Sequence, residues 1–263
     1  MIRALFSAAS GMNAQQLNVE NIANNIANAN TAGFKARRAQ FQDLLYQNMI
    51  QPGAAASQQS TVPTGLQLGL GTRAVSNEII FTQGDFSETD NPLDIVIQGK
   101  GFFQIRRTSG DLAYTKSGSF HLSNTGQMVT ANGDLLDPPI TIPPNALSTT
   151  IAPDGTVSYT LPGSVSAQQA GQIQLANFAN PAGLNSLGNG LYQQTDASGD
   201  PVVGAPGSQD GLGSLMQGFV EQSNVNIVQE FVNLIVSQRA YEANSKVVKA
   251  ADDMYQQVNN LKQ

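Results

Sequence analysis

The chain carries a single histidine, His121, and no cysteine. A histidine-based catalytic triad would have to run through His121. That residue lies in the short alternating stretch Ser119-Phe-His-Leu122, where a plain strand residue is the simpler reading. Without thiols, neither disulfides nor thiolate metal sites are open to the protein. Asp85, Glu88, Asp90 and Asp94 bring four carboxylates close together. A calcium loop needs oxygen ligands at fixed alternate positions, and Ser87 stands where the second belongs, so these residues read as turn and cap formers. Gly65, Gly69 and Gly71 have no Lys-Ser/Thr after them, and Gly99-Lys100-Gly101 also lacks the frame of a phosphate loop. Lys35, Arg37 and Arg38 form a basic cluster that could meet a membrane or an acidic neighbour, or simply solvate a helix end. Nothing converges into an active site. The expectation is a protein with no enzymatic activity, no cofactor and no metal.

The elements around these residues point instead to assembly. Ile2, Leu5, Ala9, Met12, Gln16, Val19, Ala23 and Ile26 recur at alternating spacings of three and four, the pattern of a heptad seam. This predicts one helix from residue 2 to about residue 30, weakened by asparagines at its end and stopped near Gly33. The segment from Ile2 to Met12 superficially resembles a signal peptide, but the heptad runs straight through it, so it is read as mature helix. A second stripe, Ile227, Phe231, Leu234, Tyr241, Val248, Ala251, Met254, Val258 and Leu261, predicts a C-terminal helix capped by Ser223 or Asn224. A lone helix is marginal in water, so the two terminal helices are expected to pair, with other subunits completing their burial.

Between the helices the signals change. Phe41–Tyr46 is a short amphipathic piece. Gln51, Pro52, Gly53, Ser57, Ser60, Pro63 and Thr64 mark a stretch of Gln, Ala, Ser, Pro and Gly that reads either as a disordered linker or as extended chain ordered by neighbouring subunits. From about Leu66 short strands separated by turn signals predict an all-β body: residues 94–98, 102–105, 112–115, 119–122, 127–130, 134–136, 149–151, 156–161 and 173–178. Residues 180–215 read as a Gly- and Asn-rich return connection. The fold class expected is mixed α and β, with a coiled-coil-like pair of terminal helices, an extended connection and a central all-β domain. Its boundaries are 1–33 for the first helix, 34–75 for the connecting segment and insertion, 76–215 for the β domain and 216–263 for the last helix.

Composition supports an assembling structural protein. Charged residues are 12% of the chain, against a usual figure of about 25%. Asn (23) and Gln (27) take their place, so copies repel one another weakly. A formal net charge of −6 supplies no basic field to release counterions, which argues against nucleic acid as a partner. No apolar run approaches the roughly 20 residues that span a bilayer.

Asn24-Asn25-Ile-Ala-Asn28-Ala-Asn30-Thr31-Ala-Gly33-Phe34-Lys35 closely resembles the signature of bacterial flagellar rod and hook proteins. Pro92-Leu-Asp-Ile-Val-Ile-Gln-Gly-Lys-Gly-Phe-Phe103, Tyr114-Thr-Lys-Ser-Gly-Ser-Phe120 with Gly126, Glu221-Gln-Ser-Asn-Val-Asn226 and Ser237-Gln-Arg-Ala-Tyr-Glu-Ala-Asn-Ser245 resemble its later motifs, in order along the whole chain. Lys116 stands where that family commonly has Arg. Length and a single β body resemble the distal-rod branch, the proximal rod paralogues being the nearer competitors and hook proteins being larger. Residues 46–66 are similar to the extra segment that separates distal rod from hook and is linked to a straight shaft.

This resemblance implies export through the flagellar type III apparatus without leader cleavage. It implies helical self-polymerisation into the drive shaft that carries torque across the periplasm from motor to hook. The implied partners are further copies of the chain, proximal rod and hook proteins, and ring proteins of the peptidoglycan and outer membrane. Ile2, Leu5, Met12, Val19, Ile26, Ile227, Phe231, Leu234, Tyr241, Val248 and Val258 are the expected subunit-packing residues, and residues 51–64 the expected stiffness segment. A wall hydrolase would need a cleft with a carboxylate or Cys/His site. An adhesin or binding module on a coiled-coil stalk would form small stable oligomers rather than filaments.

Overall fold

The computed structural model describes residues 2–51, 55–57, 60–61, 64–163, 166–208 and 211–260. The chain divides into two units, Met1–Ala27 with Arg37–Ile79 and Asn226–Gln263, and Asn28–Ala36 with Ile80–Val225.

The first unit holds the terminal helices. α1 spans Ile2–Ala27, rich in alanine and free of proline. It stops before the expected Gly33. From Asn28 the chain turns, with Thr31 N–H donating to Asn28 O (3.1 Å) and Phe34 N–H to Thr31 O (3.2 Å). Asparagine competes for backbone hydrogen bonds, which ends the helix early. α2 spans Ile227–Asn260. Its cap is Asn226 rather than Ser223 or Asn224: Asn226 Oδ1 accepts from Gln229 N–H (3.1 Å), and Glu230 in the first turn suits the positive end of the helix dipole.

The helices meet antiparallel. Asn25 Nδ2 donates to Glu230 Oε1 (3.4 Å), and Asn18 Nδ2 donates to Ser237 Oγ (2.8 Å). A Cβ added at Gly11 would lie 2.8 Å from Asn244 Nδ2. Each step is seven residues forward on α1 and seven back on α2. The face turned to α2 therefore carries Gly11, Asn18 and Asn25, with the buried Ala8 and Ile22 at helical spacing beside them, and these contacts lie one residue before the expected apolar seam. Leu5, Met12, Val19 and Ile26 are half-buried, while Ala9, Gln16 and Ala23 are exposed. Amides and glycine let the backbones approach closely enough for side chains to hydrogen-bond across the pair.

The rest of this unit is a long antiparallel hairpin. β1 (Arg37–Asp43), β2 (Tyr46–Ile50) and β3 (Ala55–Ser57) form one side, and β4 (Ser60–Thr61), β5 (Leu66–Gly69) and β6 (Thr72–Ile79) the other. β1 pairs with β6, β2 with β5 and β3 with β4. The amphipathic piece at 41–46 is thus strand on either side of Leu44 and Leu45. α1 lies along the hairpin's base, where Thr72 N–H donates to Ser10 Oγ (3.3 Å) and Asn77 Nδ2 to Asn21 Oδ1 (2.7 Å).

The second unit is β-rich. Its strands are β7 (Phe86–Glu88), β8 (Ile95–Gln98), β9 (Phe102–Arg106), β10 (Leu112–Thr115), β11 (Phe120–Leu122), β12 (Met128–Thr130), β13 (Leu135–Leu136), β14 (Ser148–Ile151), β15 (Thr156–Thr160) and β16 (Gln168–Gln172). They continue with β17 (Leu175–Asn177), β18 (Asn185–Gly188), β19 (Leu191–Gln193), β20 (Val202–Gly204), β21 (Ser214–Gln217) and β22 (Phe219–Glu221). Among the described residues the main sheet runs β11-β12-β13-β9-β10-β19-β18, with β17 also on β9 and β20 on β17. β14, β15 and β16 form a smaller sheet, β21 pairs with β8 and β22 with β7. Residues 180–215 are therefore not a bare return connection. They hold β18 to β20 and the start of β21, strands too short and Gly-rich to announce themselves. Ile95, Ile97, Phe103, Ile105, Phe120 and Met128 lie at the centre of the core.

Candidate functional site

Within the Asn-rich signature, Asn25 binds backbone. Asn25 is buried on α1. Its Nδ2 donates to Arg37 O (2.9 Å), and its Oδ1 accepts from Arg37 N–H (2.9 Å), so one side chain extends the ladder of β1 onto the helix. Burial raises the Glu230 carboxyl from its ordinary value, and the Asn25 bond opposes that rise. Thr31 Oγ1 donates to Asn28 Oδ1 (3.3 Å); Asn24 and Asn30 are exposed, and Phe34 is half-buried.

Gly33 begins a junction inside the second unit. Its φ of +72° and its approach to Ser117, where an added Cβ would lie 2.8 Å from the backbone nitrogen, both exclude a side chain. Gly33 N–H donates to Glu221 O (2.8 Å). Lys35, read from sequence as meeting a membrane or acidic neighbour or as solvating a helix end, is buried on an acidic residue of its own chain: its Nζ donates to Glu221 Oε1 (2.5 Å) and to Thr82 O (2.7 Å). The same Oε1 accepts from Gly84 N–H (2.9 Å). Asn224 completes the junction. Its Oδ1 accepts from Ala36 N–H (2.7 Å), and its Nδ2 donates to Ile80 O (2.8 Å) and Thr82 O (3.1 Å). Three distant stretches of chain, near residues 33–36, 80–84 and 221–224, are thereby locked by one ion pair and one amide. The sequence marked Lys35, Glu221 and Asn224 as motif residues. Their pairing spans too much sequence for periodicity to find.

Lys116 is buried close to this junction in charge. Its Nζ donates to Gly99 O (3.0 Å) and sits 5.6 Å from the centre of the Phe102 ring. Burial holds its ammonium down at about 8, with Glu221 pulling it up and Lys35 pushing it further down.

The other candidates from sequence do ordinary structural work. His121 is an exposed residue of β11, facing Val129 across the ladder. Asp94 is buried, and its carboxylate accepts from Thr89 Oγ1 (2.8 Å) and Asn91 Nδ2 (2.9 Å); Asp85, Glu88 and Asp90 are exposed. Arg38 pairs with Glu78 in solvent (3.2 Å). Among the described residues no group of three or more potential metal ligands occurs, and no helix is long and apolar enough to cross a membrane.

Three family descriptions match the elements just described. Residues 5–35 match "Flagella basal body rod protein", residues 96–159 match "Flagellar hook protein FlgE/F/G D1 domain", and residues 216–261 match "Flagellar basal body rod FlgEFG protein C-terminal". The chain is 49% identical over 261 residues to a flagellar basal-body rod protein FlgG from Buchnera aphidicola subsp. Schizaphis graminum, covering 99% of this chain and 100% of that one. It is 50% identical over 262 residues to FlgG of Caulobacter vibrioides, with the same coverage. The chain belongs to the FlgG family of flagellar basal-body rod proteins. A solved structure, the Helicobacter pylori flagellar hook protein FlgE2, aligns at 14% identity and a TM-score of 0.25 over 71% of this chain and 43% of that one, too low to carry any argument.

In this member of the FlgG family many large apolar residues lie in solvent. On α2, Ile227, Phe231 and Tyr241 are exposed, as are Val228, Val232, Ile235 and Val236, while Leu234 and Val248 are half-buried. Phe6 of α1 is exposed. The side chains of Ile2 and Val258 lie outside the described residues. On the hairpin, Leu45 is 86% exposed, and Tyr46, Met49, Ile50 and Leu66 are also open to water. Of the expected stiffness residues, Gln51 and Thr64 are exposed, Ser57 and Ser60 pair through their backbones, and Pro52, Gly53 and Pro63 lie outside the described residues.

Proposed function

We propose that the chain polymerises helically into the distal rod of the flagellum, the shaft that carries torque from motor to hook. Its work is structural rather than catalytic. Full-length identity near one half to FlgG proteins supports the rod assignment. The observation that carries polymerisation is the exposed apolar face of α2, with Val228, Phe231, Val232, Ile235 and Val236 in water. An isolated chain gains nothing from such a face, whereas burial against other copies recovers about 25 cal/mol for each Å² covered.

In this reading residues 1–33 and 216–263 form the inner, coiled-coil-like layer of the tube, and Leu5, Met12, Val19, Ile26, Phe231 and Tyr241 pack against neighbouring copies. Residues 76–215 form the outer body, turning within ring proteins of the peptidoglycan and outer membrane. Residues 34–75 reach a neighbouring subunit. A two-stranded hairpin alone is marginal in water, so a neighbour that covers Leu45, Met49 and Ile50 would stabilise it and stiffen the shaft. Export runs through the flagellar type III apparatus, and the rod's ends join proximal rod and hook proteins. An open helical polymer needs two different faces on each subunit, which helices and hairpin supply.

Val236→Asp tests polymerisation. The residue is well exposed in the single chain, so the variant should fold normally and fail to appear in purified hook–basal bodies. Normal rods built from the variant would sink the proposal. Immunogold labelling with an antibody to residues 76–215 tests position: label on the distal shaft supports the distal rod, and label near the inner membrane moves the chain to a proximal place.

A further inference from the structure

Within the second unit, Lys116 lines a cavity of about 260 Å³ together with Phe81, Phe102, Phe178, Lys100 and Asn177. Phe102 packs edge-on against Phe81 (ring centres 5.3 Å) and against Phe178 (5.8 Å), so the apolar wall is rigid. Two lysines line this space, and no carboxylate does. Lys116 is 5% exposed, and a single neutral carbonyl, Gly99 O, is recorded as its hydrogen-bond acceptor. An ammonium has three donors, so Lys116 retains capacity for an acceptor from the cavity. The Glu221 carboxylate, whose charge acts on Lys116, is engaged by Lys35 at 2.5 Å and by Gly84 N–H. Lys35 thus holds that carboxylate, and among the described residues the Lys116 ammonium has no ion-pair partner.

We propose that this cavity is an anion site, taking a carboxylate carried on a small apolar body. The carboxylate would complete the hydrogen bonding of the Lys116 ammonium and supply its ion-pair partner. Its body would lie against Phe81, Phe102 and Phe178, with the exposed Lys100 at the mouth. A bare inorganic anion would leave those rings unused, and a neutral apolar molecule would leave the ammonium uncompensated. The carboxylate has two possible sources: a free organic acid, or an acidic side chain of a second copy of this chain. Only the second source rests on the polymerisation proposed above.

Benzoate is the probe for the first source. It is titrated into the soluble full-length chain while the amide NMR signals of Ser117, Phe178 and Asn177 are followed. The expected result is a saturable shift confined to these residues, at least tenfold weaker for benzyl alcohol, which has the same ring without the charge. Lys116→Gln should abolish the shift and Lys116→Arg should retain it. Should Lys116→Gln fail to fold, the comparison of benzoate with benzyl alcohol on the native chain still decides. For the second source, assembled rods are treated with a carbodiimide, which joins an amine and a touching carboxylate as an amide with loss of water. An intersubunit peptide containing Lys116 supports the subunit source, even where benzoate does not bind. No saturable benzoate shift together with no Lys116 cross-link overturns the site.

Discussion

Lys35 Nζ lies 2.5 Å from Glu221 Oε1, 186 residues away in sequence, and the two side chains are 0% and 1% exposed. The second carboxylate oxygen of Glu221 is buried without a hydrogen-bond partner. Such a pair adds little by being present, because desolvation cancels much of the attraction, but it is costly to break from one side. Lys35→Met should therefore destabilise the chain by about 3–5 kcal/mol, since it strands a buried carboxylate. In Lys35→Met/Glu221→Gln the amide can still accept from Gly84 N–H, and at least about 1 kcal/mol should return. Urea unfolding followed by far-UV circular dichroism measures both; a double variant no better than the single would contradict the pairing.

Lys116 gives a pH dependence with a definite sign. Its ammonium is held at about 8 in the fold, against 10.5 for the ordinary side chain. Below pH 8 both states are protonated, and the folded state carries the whole cost of burying the charge. Between 8 and 10.5 the folded chain has released a proton that the unfolded chain still holds, so stability rises with pH across that window. Lys116→Met should lack this rise. The difference in stability between native chain and variant should change by roughly 3 kcal/mol from pH 7 to pH 10.5, in favour of the native chain at high pH. A flat difference across the window would show that burial does not depress this lysine.

Gly118 is held by space alone. A Cβ there would fall 1.6 Å from Ile95 O, a backbone atom of the core strand β8, whose own N–H donates to Gly118 O (3.0 Å). Neither side can yield without breaking that pairing. Gly118→Ala should cost about 3 kcal/mol or more, measured as a shift in the urea midpoint, and an alanine variant of native stability would refute the packing.

Gly11 should behave in the opposite way. Its added Cβ would meet only the flexible amide end of Asn244. Gly11→Ala should be neutral or stabilising by up to about 1 kcal/mol through helix propensity. Gly11→Leu cannot fit between the backbones and should lower the helical signal at 222 nm. Equal effects from Ala and Leu would mean that α1 and α2 do not approach here.

Much of the β body was legible where a strand carries its own period and a turn its own glycine or asparagine, although β7, β16, β21 and β22 went unread. Leu112–Thr115 falls where its alternation placed it. The short strands from Asn185 to Gly204 were not, since three or four residues rich in Gly and Asn carry no period to read. Both terminal helices were legible, but not the face by which they meet. Apolar spacing at Leu5, Met12, Val19 and Ile26 marks where water is to be excluded, whereas Gly11, Asn18 and Asn25 make the contact with α2. Hydrophobic periodicity does not register the amides that join this seam between the buried Ala8 and Ile22. The junction was invisible for another reason: Lys35 and Glu221 look like ordinary surface charges until the fold removes the water from both.

The contact between α1 and α2 also sets an order of events. Asn18 waits for a partner 219 positions later, and Asn25 for one 205 positions later. Contacts of such separation form late, after the intervening β strands have closed most of the loop. α1 thus has two supports: the hairpin that follows it closely in sequence, through Ser10, Asn21 and Asn25, and α2 from far along the chain, through Asn18 and Asn25. A product cut short before Asn226 retains every strand of the β body and the hairpin's hold on α1, yet lacks the second support. The helix pair is therefore completed only after α2 has been made, before any copy is committed to a shaft that must bear load.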